Sequence, residues 1–140
     1  IGRASKMSRE TIAGLIKALE LFMERDDNEY YRDLETKTQR FSTRLDEIPG
    51  IRSGVLTELT LVDGLTGSFY AYIELDGDPG LSLKGLHVAL HDGDPSIRTL
   101  HEPYFITPEA KNRITLKTEY LLKGDEETIL NRITQTLQNT

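Results

Sequence analysis

Cysteine is absent from this 140-residue chain. That excludes a disulfide framework and any thiolate metal site, and it makes a reducing cytoplasm the expected setting. Long hydrophobic runs are missing too. No stretch approaches the roughly 18 uncharged apolar residues of a membrane span, and the opening residues do not read as a basic-then-apolar leader with a cleavage site. Positive charge is in the minority, leaving a net charge of −6. A general nucleic-acid binder needs a concentrated basic face to neutralise phosphates, so nucleic acid is not an expected partner. Low-complexity tracts and flexible linkers are lacking, as are a Ser/His/Asp order, a G-x-S-x-G elbow and a P-loop.

What is present suits one soluble globular domain: 37% hydrophobic and 29% charged residues, in a chain long enough to bury a core. Ile12, Leu15, Ile16, Leu19, Phe22 and Met23 recur on one face of a helix, with Ser8 at the N-cap position and Glu10 in the first turn. Asp26, Asp27 or Asn28 can cap a second helix carrying Tyr30, Leu34, Phe41 and Leu45, which Pro49 and Gly50 end at about Glu47. After Gly50 the texture changes. Val55 to Leu61 and the run Ser68 to Leu75 flank a D-G-L-T-G turn signal and read as a hairpin; Phe69, Ala71, Ile73 and Leu75 alternate with Ser68, Tyr70, Tyr72 and Glu74, the pattern of a half-buried strand. Leu83, Leu86, Val88 and Leu90 form a short helical or extended patch closed by Gly93, and two short strands follow around "SIRTLHE" and "NRITLKT". The last helix carries Ile129, Ile133 and Leu137, with Asp125 expected as its cap. The order is ααββαββα. It predicts an α+β fold, a small antiparallel sheet of about four strands covered by helices.

The candidates for chemistry are few. His87 and His91 stand at i, i+4, a zinc-compatible spacing, but they lack a third and fourth ligand and read as solvent-facing histidines on a short helix. The string DGDP occurs twice, at 76–79 and 92–95, without the ligand order or distal glutamate of a calcium loop; both copies read as turns. No metal site is expected, and no catalytic constellation is visible. The least ordinary feature is the basic segment "GRASKMSRE" before the first helix. A helix N-terminus already attracts anions, so Arg3 and Lys6 there are candidate contacts for a phosphate or carboxylate; the bland alternative is a solvated hinge.

The same segment carries a resemblance. Gly2, Arg3, Lys6, Glu10, Ile12, Gly14, Leu15, Ala18 and Leu19 resemble the stretch after the catalytic domain of selenocysteine synthase-like enzymes, the pyridoxal-phosphate-dependent relatives of L-seryl-tRNA(Sec) selenium transferase. Gly93, Asp94, Pro95, Ser96 and Ile97 resemble that family's G-D-P-P-I string, and Gly124 to Glu127 its acidic helix start; between Val55 and Gly80 only texture matches. The resemblance implies the C-terminal small domain of a fold-type I enzyme, with residues 1–50 a helical lead-in from a large domain and 51–140 the α+β small domain, together one structural domain. It implies pyridoxal 5'-phosphate as cofactor of the full-length enzyme, held by that upstream large domain and not by this chain alone. It further implies a small-molecule substrate, a homo-oligomer, and β-elimination or β-replacement, with the branch of ammonia-lyases acting on amino sugar acids favoured. No catalytic residue is expected in this chain, which reads as a piece starting at a domain junction and inactive alone. The alternative is a stand-alone α+β interaction or ligand-binding module.

Overall fold

Ser8 opens the first helix as its position predicts. Its backbone is extended, and its hydroxyl accepts the Thr11 N–H at 3.1 Å. In this computed structural model, which describes residues 7–59, 66–77, 80–101 and 112–139, α1 runs Arg9–Glu24 and α2 runs Asp27–Asp46. Of the three possible caps between them, Asp26 is the one used: its Oδ1 accepts the N–H groups of Asn28 and Glu29 at 2.9 and 3.2 Å. The chain divides into two compact units, 1–32 and 33–140. That division lies inside α2, whereas the texture of the sequence changes at Gly50.

In the first unit the apolar stripe of α1 is formed but covers nothing. No α1 residue is buried, and Leu15, Ile16, Leu19 and Phe22 are each more than half exposed. Beyond α1, Arg25 ion-pairs with Asp27 at 2.7 Å while its guanidinium lies 4.0 Å from the Tyr30 ring centroid and 5.0 Å from that of Phe22.

The second unit is built from the C-terminal half of α2 onward. Leu34, Thr38, Phe41, Ser42 and Leu45 are buried at helical spacing. Gly50, at φ 85°, reverses the chain into the sheet. There follow β1 (Ile51–Leu59), β2 (Thr66–Leu75), α3 (Leu83–Asp92), β3 (Leu100–His101), β4 (Ile114–Lys117), a 3-10 turn (Thr118–Tyr120) and α4 (Asp125–Gln138). The fold is therefore α+β, with the element order ααββαββα and a four-stranded antiparallel sheet in the order β1-β2-β4-β3. Ala71, Ile73, Ile114 and Leu116 form one core with Phe41 and Leu45 of α2, Leu86 and Leu90 of α3, and Ile129 and Ile133 of α4. Each large aliphatic or aromatic side chain fully buried there contributes roughly 1.5–3 kcal/mol of transfer free energy.

Two expectations change. β2 is half-buried only in its C-terminal part, where Tyr72 and Glu74 are partly exposed around buried Ile73; before it, Ser68 and Tyr70 are buried as Phe69 and Ala71 are, Tyr70 lying between Leu56 of β1 and Lys117 of β4. Asp125 does not cap α4. Gly124 holds the cap position at φ 98°, a left-handed conformation suited to glycine, and the Asp125 carboxylate instead accepts the Leu122 N–H at 2.8 Å.

Tertiary ties fix the segments around β4. Thr38 donates its hydroxyl to the Leu34 carbonyl at 2.8 Å, so the Thr118 hydroxyl, 2.6 Å away, must be the donor in their buried pair. Lys37 donates to the Leu121 carbonyl at 2.9 Å. Arg40 and Arg44 of α2 meet Glu126 and Glu127 of α4 in bidentate fashion, at 2.7 to 3.1 Å. On the other side, Arg132 donates to the Asp94 carbonyl and lies where a Cβ on Gly93 would fall.

Candidate functional site

The two residues singled out in the basic segment, Arg3 and Lys6, lie outside the described residues. His87 and His91 do share α3, but they turn to different partners. His87 shares a 2.6 Å hydrogen bond with Thr99 and its ring lies 5.9 Å from that of His101, whereas His91 meets Asp92 at 2.8 Å. His87 is thus half-buried against β3, contrary to the solvent-facing role read from its spacing. Burial lowers its pKa below the ordinary histidine value, with the nearby His101 and His91 adding to the effect. Among the described residues no group of three or more His, Asp or Glu is placed to hold a metal ion. Of the two DGDP strings, residues 92–95 turn the chain from α3 towards β3, with a cis Asp94–Pro95 bond; in the first copy Gly77 takes φ 77°, and residues 78 and 79 lie outside the described set.

The site that the fold does assemble lies on the sheet face opposite the helices. Register places Tyr70 across from Lys117 and Tyr72 across from Thr115, and directly opposed residues project to the same face. Arg113, one residue before β4, reaches diagonally so that its guanidinium lies 5.5 Å from the Tyr72 ring centroid; the Lys117 ammonium lies 5.9 Å from that of Tyr70. Gly54 stands opposite Tyr72 on β1, and a Cβ there would come within 2.6 Å of the tyrosine ring and hydroxyl. The glycine is what lets the ring lie across β1.

Arg113 is the only charged side chain classed as buried among the described residues, at 5% exposure. A guanidinium keeps its charge under these conditions and presents a planar fork of donors suited to a carboxylate or phosphate. Lys117 is half-buried and bonds Glu119 at 3.0 Å. Burial opposes its charge, but the hydrogen bond and charge of Glu119, with Tyr70 and Tyr120, outweigh that and hold its pKa above the ordinary lysine value. It therefore stays an ammonium at neutral pH. The arrangement sets two cations beside two aromatic rings, with Lys117 engaged by Glu119; it offers no lysine poised as a nucleophile. Sequence reasoning saw the alternation on each strand and missed this pairing. The available signal was tyrosines and cations repeating with period two on strands whose register was not yet known.

No family model matches the chain, and no curated protein matches it. Among solved structures it is similar to the structure of D-glucosaminate-6-phosphate ammonia-lyase, with a TM-score of 0.70 and 16% sequence identity, covering 98% of this chain and 34% of that one. The chain thus spans about a third of the length of this neighbour and shares the fold of that part.

Proposed function

We propose that this chain is the C-terminal small domain of a pyridoxal-phosphate-dependent lyase or transferase that acts by β-elimination or β-replacement on an anionic amino acid or amino sugar acid. The ammonia-lyase-like branch of the selenocysteine synthase-like enzymes is favoured. The observation that carries the proposal is the fold likeness, which extends over nearly the whole chain to one part of an ammonia-lyase named for a phosphorylated amino sugar acid. The buried Arg113 and the charged Lys117 fit the same reading, because such a substrate carries two anionic groups and needs fixed cations to orient it.

On this reading the cofactor is not carried by Lys117, Lys37 or Lys17. Lys117 is pushed in the wrong direction for a Schiff-base lysine, which needs a lowered pKa. Lys37 is held by a main-chain carbonyl and Lys17 by Glu20. In the complete enzyme the cofactor, an electron sink for charge developing at the substrate Cα, belongs to the upstream large domain, and this domain contributes the cationic face.

The test has two arms. The isolated chain, incubated with pyridoxal phosphate and then borohydride, is expected to give no stoichiometric lysine adduct by mass spectrometry. The full-length gene product, carrying the cofactor, is expected to release ammonia from D-glucosaminate 6-phosphate or a related amino sugar acid. A single-lysine adduct on the isolated chain overturns the division of labour. A full-length product that binds no pyridoxal phosphate overturns the enzyme reading.

A further inference from the structure

Among the described residues β3 comprises Leu100–His101 and pairs with only the first half of β4. Leu100 pairs with Thr115 and His101 with Ile114, but residues 96–99 carry no strand assignment and do not continue the ladder alongside Leu116 and Lys117. The split between the 95–100 segment and β4 opens into a cavity of about 370 Å³, floored by the first turns of α4. That volume lies within the range of small-molecule sites. The turn that starts the outer wall is held by Arg132 at Asp94, by Ser96 donating to the His91 carbonyl at 2.6 Å, and by Ile97 donating to the Leu90 carbonyl at 2.9 Å. The cavity is therefore braced on both sides.

Ile97, Leu100, Leu121 and Ile129 give the cavity an apolar body. Most of its polar groups are engaged: Thr128 donates to the Gly124 carbonyl, Asp125 accepts from Leu122, and Lys117 bonds Glu119. Arg98 is different. It lines the opening, its side chain is exposed, and it has no hydrogen-bond or ion-pair partner among the described residues. Its five N–H donors, with the Tyr120 hydroxyl, are the spare polar capacity of the cavity. Lys117 is already neutralised by Glu119, so Arg98 at the opening is the one cation of the lining without a carboxylate partner among the described residues, and it suits a single negative charge at the mouth above the apolar body.

We propose that this cavity is a binding site for a monocarboxylate with an aliphatic or aromatic body, its carboxylate on Arg98 and its apolar part against Leu100, Ile97 and Ile129. The site is built from residues of the sheet unit alone and does not depend on the lyase reading.

The test is an amide NMR titration of the 140-residue chain with 4-phenylbutyrate, with its uncharged amide, and with inorganic phosphate. Phenylbutyrate is expected to give saturable shifts at Leu100, Thr115 and Ile129. The amide is expected to bind about tenfold more weakly or worse, since a charge-assisted hydrogen bond is lost, and phosphate to leave those three signals in place. Arg98→Gln is expected to weaken phenylbutyrate by a similar factor, and Leu100→Asp to abolish its binding. Arg52→Gln, which removes a cation from an exposed pair with Asp76 on β1, is expected to change nothing. Circular dichroism of each variant checks that the fold is kept. Equal binding of acid and amide, indifference to Arg98→Gln, phosphate moving the same signals, or no saturable shift from phenylbutyrate each overturns the proposal.

Discussion

Two residues show how packing against the sheet sets chemistry. Arg113 is buried over Tyr72; His87 of α3 is half-buried with its charge disfavoured, against Thr99 and His101. A histidine whose folded pKa is depressed resists a proton that the unfolded chain accepts. Between the folded value and about pH 6.5 the unfolded state binds more protons, so stability is lost as pH falls through that window. We expect the urea midpoint of the chain to drop between pH 7.5 and pH 5.5, and His87→Gln, which retains a polar partner for Thr99, to make that drop smaller. An unchanged pH dependence in the variant would assign the effect to other groups.

Among the elements, α1 and β2 stand at opposite extremes of burial. α1 has a clear apolar stripe and buries none of it. An exposed, contiguous stripe of that kind favours association. Sedimentation of the chain is expected to show concentration-dependent self-association, reduced in Leu15→Glu/Leu19→Glu; a monomer at all concentrations would refute this. α1, α2 and α4 were legible in the sequence because helix determinants are local: Ser8 and Asp26 each cap the helix that follows through neighbours three or fewer residues away. α3 is short, and its apolar spacing fits a helix or an extended patch, so its helical state was not legible in the same way. β2 was legible as a strand, but the burial of Tyr70 on its polar parity was not, since its cross-strand neighbour Lys117 lies more than forty residues further along. The same distance hid the Tyr72–Arg113 contact. Asp125 misled for a local reason: an acidic residue before a helix usually caps it, and here the left-handed Gly124 takes that place.

At the scale of the whole molecule, one face of the sheet unit packs on the helices and the other carries Arg113 and Lys117, while the basic residues before α1 belong to the other unit. In the enzyme proposed above we expect Arg3→Ala combined with Lys6→Ala to raise KM for an anionic substrate several-fold with little change in thermal stability. Unaltered kinetics would leave the two residues as a hinge. Arg113→Gln, by contrast, is not a clean kinetic probe, because removing a buried guanidinium also leaves its neighbours to repack.

The central position of β2 has a consequence for how such a chain evolves. An edge strand answers to one neighbouring strand, whereas Ala71 faces Val55 on one flank and Leu116 on the other, and Tyr72 faces Gly54 and Thr115. A drifting substitution in β2 has to be acceptable to both flanks at once. Any side chain at position 54 would meet the Tyr72 ring, so that a larger residue there requires the ring to move or Tyr72 to change with it.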